Sequence, residues 1–130
     1  MHASRPREWY VELAEKRYFG NVDLKNLQAV LDCFNEDAVF TIQSSHTVHR
    51  GRDTGIRGMF ERLFHYRTIL HTDFETIVDV EAESVSSRFH VELDPPSGPH
   101  ITLMNVNHWY LKDGKFQRVY VWMSGENVLK

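Results

Sequence analysis

The hydrophobic pattern of this chain changes period once, near Leu70. Before that point apolar residues recur at steps of three and four, and after it they alternate. In the first half Tyr10, Leu13, Ala14 and Tyr18, with Val11, make one helical stripe. Pro6 suits the first turn of that helix and Gly20-Asn21 supplies a stop. Asp23 is placed to cap a second helix carrying Leu24, Leu27, Leu31 and Phe34, which Asn35-Glu36-Asp37 ends. Residues 38–43 (AVFTIQ) predict a short strand and 44–52 a polar connection. A third helix, capped by Asp53 or Thr54, would bury Ile56, Met59, Phe60, Leu63 and Phe64.

In the second half residues 71–80 predict a strand with Phe74, Thr76, Val78 and Val80 on one face. After a turn at 81–83, Val85, Ser87, Phe89, Val91 and Leu93 alternate with polar neighbours. Asp94-Pro95-Pro96-Ser97-Gly98-Pro99 is a loop. Residues 101–123 then read as a long hairpin turning at Lys112-Asp113-Gly114. Residues 124–130 form a tail. Within the hairpin Asn105 and Asn107 share a parity among apolar neighbours. Amides are poor strand formers, and leaving one unpaired inside costs about 1–3 kcal/mol. They are therefore candidates to line a pocket. Helices first and antiparallel strands afterwards define an α+β domain with helices segregated onto one sheet face.

Length and charge narrow the class. A chain of 130 residues is one domain, with room for a core. A net charge of −3 argues against nucleic acid. No apolar run reaches the ~20 residues of a membrane span, and MHASRPREWY lacks the apolar core of a signal peptide. The lone Cys33 fits a reducing compartment, so a cytoplasmic location is expected.

The chain holds eight histidines. His90 falls on the polar face of its strand, with Arg88 and Glu92. His46 and His49 sit in the polar connection, and His2 is near the terminus. No His-x-x-x-His on a helix and no Cys-x-x-Cys occurs, so no metal site is expected.

Three stretches, LQAVLDCFNEDAVF, HRGRDTGIRGMFERLF and NHWYLKDGKFQRVYVWMSGENVL, resemble the superfamily of nuclear transport factor 2. Its members include Δ5-3-ketosteroid isomerase, scytalone dehydratase and the SnoaL-like polyketide cyclases. The resemblance spans about residues 9–129. It implies a cystatin-like cone: three helices in the N-terminal half packed on a curved, mostly antiparallel sheet, around an apolar pocket. It also implies dimerisation through the outer sheet face.

Carried over onto this sequence, the isomerase's helix tyrosine, an oxyanion donor, matches Tyr18. Its second donor, an acid before His-Phe, falls on Asn107. Its aspartate base falls on Ile42, which cannot take a proton, so steroid isomerisation by that route is not expected. The dehydratase's catalytic histidine, at the start of the strand after the third helix, matches His71.

The hairpin turn decides which side chains face the pocket. A three-residue loop pairs Asn107 with Val119, and a two-residue turn pairs it with Tyr120. The three-residue loop agrees with the pocket parity that the resemblance implies. It places Asn105, Asn107, Trp109, Val119, Val121 and Met123 inside. Val106, His108, Tyr110, Tyr120 and Trp122 then make an outer aromatic patch, which a lone domain does not normally expose, so a homodimer is expected.

Taken together, these features lead us to expect a cofactor-independent lyase or isomerase of the dehydratase or cyclase type. It would act on a small, apolar, oxygenated ring compound. His71 is the expected acid–base group, with Tyr18 and Asn107 as hydrogen-bond donors. Phe40, Ile42, Met59, Phe60, Leu63, Asn105, Trp109, Val119 and Val121 are the expected walls. The alternative is a non-catalytic domain that holds a hydrophobic ligand or a partner segment, with no ionisable side chain in its cavity.

Overall fold

The computed structural model describes residues 5–130; His2 lies outside them. The first helix, α1, begins after Pro6, runs through Arg7–Glu12, and continues as a wider, π-wound stretch (Leu13–Gly20) into Asn21–Asp23. It does not stop at Gly20, whose backbone is helical. Tyr10, Leu13, Ala14, Tyr18, Phe19 and Val22 form its buried stripe.

The second helix, α2 (Leu27–Leu31), is shorter than the periodicity predicts. Lys25 takes a left-handed backbone (φ 58°) and breaks the chain after Asp23. The cap is Asn26, whose Oδ1 accepts the Ala29 N–H at 3.4 Å. Leu24 is consequently 77% exposed, and Phe34 opens a strand instead of closing a helix. The third helix, α3, starts at Gly51, with a π-wound Gly51–Ile56 followed by Arg57–Leu63. Asp53 therefore lies inside its first turn, paired with Arg52, and does not cap it.

Six strands form one sheet: β1 (Phe34–Ile42), β2 (Thr47–Arg50), β3 (Thr68–Asp79), β4 (Ser84–Asp94), β5 (Ile101–Lys112) and β6 (Lys115–Met123). Their order is β2-β1-β6-β5-β4-β3, with only β1 and β6 parallel. β2 lies in the stretch whose polarity predicts a loop. Three helices over a curved, mostly antiparallel sheet make this an α+β fold. No helix among the described residues is long and apolar enough to cross a membrane.

Two bulges set which side chains face inward. In β3 the register shifts between Thr72 and Glu75, where Asp73 has a φ of 57°. Ile69 and His71 thus turn inward on one parity, and Phe74, Thr76 and Val78 on the other.

The β5–β6 hairpin has a two-residue turn, not three. Lys112 pairs with Lys115 across Asp113 and Gly114, at φ 54° and 77°. A shift beyond Leu111 and Phe116 adds one residue to β6, so Asn107 pairs with Val121 and Trp109 with Val119. Neither simple register describes the hairpin. The bulge restores the parity that the shorter turn would have reversed. Asn105, Asn107, Trp109, Val119, Val121 and Met123 are all buried on the inner face.

Candidate active site

A cavity of about 30 Å³ lies between α1, α3 and the inner face of β3 to β6. Tyr18, His71 and Asn107, on three different elements, all line it. Of the expected walls, Phe60, Leu63, Asn105 and Val121 line it too. Phe40, Ile42, Met59, Trp109 and Val119 do not: each is fully buried in solid core beside it. Aromatic packing fills that side. Phe34 lies 5.4 Å from Phe116, Phe40 6.1 Å from Phe60, and Trp109 5.4 Å from Phe116 between ring centres. The open space is displaced toward β3 and β4, which contribute Ile69, Phe89 and Val91.

His71 has a partner on α1. Its Nδ1 lies 2.6 Å from Asp23 Oδ1, and its backbone N–H donates to Asp23 Oδ2 at 2.9 Å. A carboxylate accepts only, so Nδ1 carries a proton, and in the neutral ring Nε2 is the nitrogen with the lone pair. Phe19 stacks on the imidazole at 4.4 Å and an interplanar angle of 26°. The pair is largely shielded from solvent, with side-chain exposures of 9% for His71 and 19% for Asp23. The sequence pattern gave Asp23 a capping role and missed this one. Two features held the signal: an acid at the end of the tyrosine helix, and a histidine at the strand start the helix packs against.

Tyr18 is buried in a cage of Phe19, Phe34, Phe60, Trp109 and Phe116 rings. Burial, reinforced by repulsion from Cys33, holds its hydroxyl well above the ordinary tyrosine range. It therefore stays protonated as a donor. Burial likewise pushes the Cys33 thiol up to about 11.

The two amides differ in use. Asn105 accepts the Ser124 N–H on its Oδ1 at 3.4 Å and helps to seat the C-terminal tail. Asn107 Oδ1 is buried with no hydrogen-bond partner among the described residues, as is Trp109 Nε1. The unmet Asn107 atom is an acceptor on the cavity wall, open to a donor such as a ligand hydroxyl, while Nδ2 carries the amide's N–H donors.

The SnoaL-like domain model matches residues 16–119, and the chain belongs to that family. No curated protein matches it in sequence. Among solved structures, a protein named as a SnoaL-like polyketide cyclase from Shewanella denitrificans OS-217 is 15% identical, with a TM-score of 0.78. The match covers 91% of this chain and 92% of that one. The epoxide hydrolase/cyclase-like SalBIII of salinomycin pyran-ring formation is 18% identical, covering 90% and 92%, with a TM-score of 0.78. An LEH-like epoxide hydrolase of M. tuberculosis is 10% identical, covering 90% and 84%, with a TM-score of 0.76. At these identities the likeness is one of fold.

Proposed function

We propose that the chain is a cofactor-independent lyase or isomerase of the dehydratase or cyclase type. Its substrate would be a small, apolar, oxygenated ring compound. The observation that carries this is the Asp23–His71 pair on the cavity wall, 2.6 Å apart. His71 Nε2 takes a proton from the carbon next to a carbonyl. The C–H electrons move into an enolate, whose oxygen accepts hydrogen bonds from Tyr18 Oη and Asn107 Nδ2. In a dehydration the imidazolium then gives its proton to the departing β-hydroxyl, which leaves as water. In an isomerisation the same proton returns to another carbon. Asp23 stabilises the imidazolium without taking its proton.

A purely binding role is the weaker reading, since it predicts a cavity without ionisable side chains, and His71 lines this one. The substrate classes named for the structural relatives are compatible with an apolar oxygenated ring. The test is a crystal structure with a cyclic ketone such as 2-tetralone. The ketone oxygen should lie within hydrogen-bond reach of Tyr18 and Asn107, and an α-carbon beside His71 Nε2. A ketone bound elsewhere would overturn the proposal.

The proposal includes a homodimer through the outer sheet face and a cytoplasmic location. Trp122 is 44% exposed and Met104 36% exposed on that face, next to Val106, Tyr110 and Tyr120. A second copy would cover them by two-fold self-complementarity. Buried Cys33 fits a reducing compartment.

A further inference from the structure

We infer that residues 125–130 form a strap that closes the cavity and lifts to admit a ring-sized ligand. The inference rests on the ligand reading above. The cavity of about 30 Å³ is far too small for such a ligand, since an apolar cavity that takes benzene measures about 150 Å³. Something lining it must move. All its lining residues but two sit on helices or on the hydrogen-bonded sheet. The exceptions, Val128 and Leu129, belong to a segment without regular structure.

That segment is held by the packing of Val128 and Leu129 on the core and by side-chain hydrogen bonds to the rest of the fold. His49 Nε2–H on β2 donates to the Leu129 carbonyl at 2.8 Å. Arg62 Nε–H on α3 donates to the Lys130 carbonyl at 2.8 Å. Asn127 Nδ2 reaches Thr47 Oγ1 at 3.4 Å. A bond between Leu129 N–H and Asn127 Oδ1, 2.9 Å, lies within the strap and travels with it. Gly125 opens the segment. A Cβ there would meet Leu103 Cδ2 at 2.7 Å, so the chain crosses β5 closely at that point. His49 and Arg62 are thus latches. Neither lines the cavity: His49 holds Leu129, one of the two roofing residues, and Arg62 holds Lys130 beside it.

Methyl NMR on Val128 and Leu129, with 2-tetralone as the probe ligand, tests this. In Arg62→Ala, which removes a surface side chain, and in His49→Phe, the open population of those methyls should rise by about fivefold. That is the worth of one net hydrogen bond of roughly 1 kcal/mol. The association rate of 2-tetralone should rise in the same proportion, with β4 and β5 methyls unchanged. Unchanged Val128 and Leu129 methyls in both variants would overturn the strap. So would a raised open population with an unaltered association rate. Lifting without any 2-tetralone binding supports the strap and counts against the ring-ligand reading instead.

Discussion

Asp23 receives two donors from one residue: the ring Nδ1–H of His71 at 2.6 Å and its backbone N–H at 2.9 Å. A carboxylate satisfies both, and an amide cannot. In Asp23→Asn the backbone N–H can only donate, so it claims the amide oxygen. The amide NH2 then faces Nδ1, which must become an acceptor, and the proton moves to Nε2. The expected ¹⁵N signature is a His71 ring switched from the Nδ1–H to the Nε2–H tautomer. Activity should fall by about 10⁴, as for the wrong tautomer in a hydrolase triad. An unchanged tautomer in the variant would remove Asp23 from its role.

Tyr18→Phe separates binding from packing. The ring cage is kept, and only a buried hydroxyl is lost. Chemical denaturation should show a change below about 1 kcal/mol. Affinity for a cyclic ketone should fall by about tenfold, or ~1.4 kcal/mol, measured by calorimetry. A large stability loss with unaltered affinity would make the hydroxyl structural.

The outer face predicts a dimer that one charge can split. Trp122→Glu places a carboxylate among Tyr120 and Val106. Sedimentation should show a dimer for the wild type and a folded monomer for the variant. A wild-type monomer at micromolar concentration contradicts the proposed interface.

Two outer-face histidines give opposite pH effects. Bonds to Asp94 and then Glu92 hold His100 above the ordinary histidine range, while bonds from Thr68 and Thr102 first, and His100 second, hold those carboxyls below theirs. A raised histidine stabilises below its unfolded value of about 6.5 and loses that as pH rises through its folded value. The lowered carboxylates stabilise above about 4–4.5 and lose it as pH falls. His100→Gln should therefore reduce stability mainly between about pH 4.5 and 6.5. Burial, then Arg118, holds His108 low, so its contribution is present above about 6.5 and lost as pH falls through its folded value. His108→Phe should flatten the acid side of the stability curve, followed by denaturant titration across pH.

Much of this arrangement was legible in the sequence. The change of period at Leu70 and the alternation of Val85 to Leu93 correspond to the helices and to β4. Asn105, Asn107 and Trp109 do face inward. What escaped depended on single backbone residues. Lys25 and Asp73 both adopt positive φ without being glycine, so nothing in their identity marks a helix break or a bulge. The extra residue in β6 likewise left the parity intact while changing every cross-strand partner. Asp23 reads as a cap because local capping and a bond to a strand 48 residues away place the same demand on an acid. Phe40 and Val119 read as walls yet lie in solid core beside the cavity, because apolar patterning marks burial and does not separate core from cavity lining.

The central claim is that His71 removes a carbon-bound proton inside this cavity. Deuterium uptake at the α-carbon of 2-tetralone in D₂O, followed by proton NMR, tests it without knowledge of the natural substrate. The wild type should accelerate uptake over His71→Ala by at least about 10². Equal uptake with both proteins, with 2-tetralone bound in the cavity of each, would contradict the account.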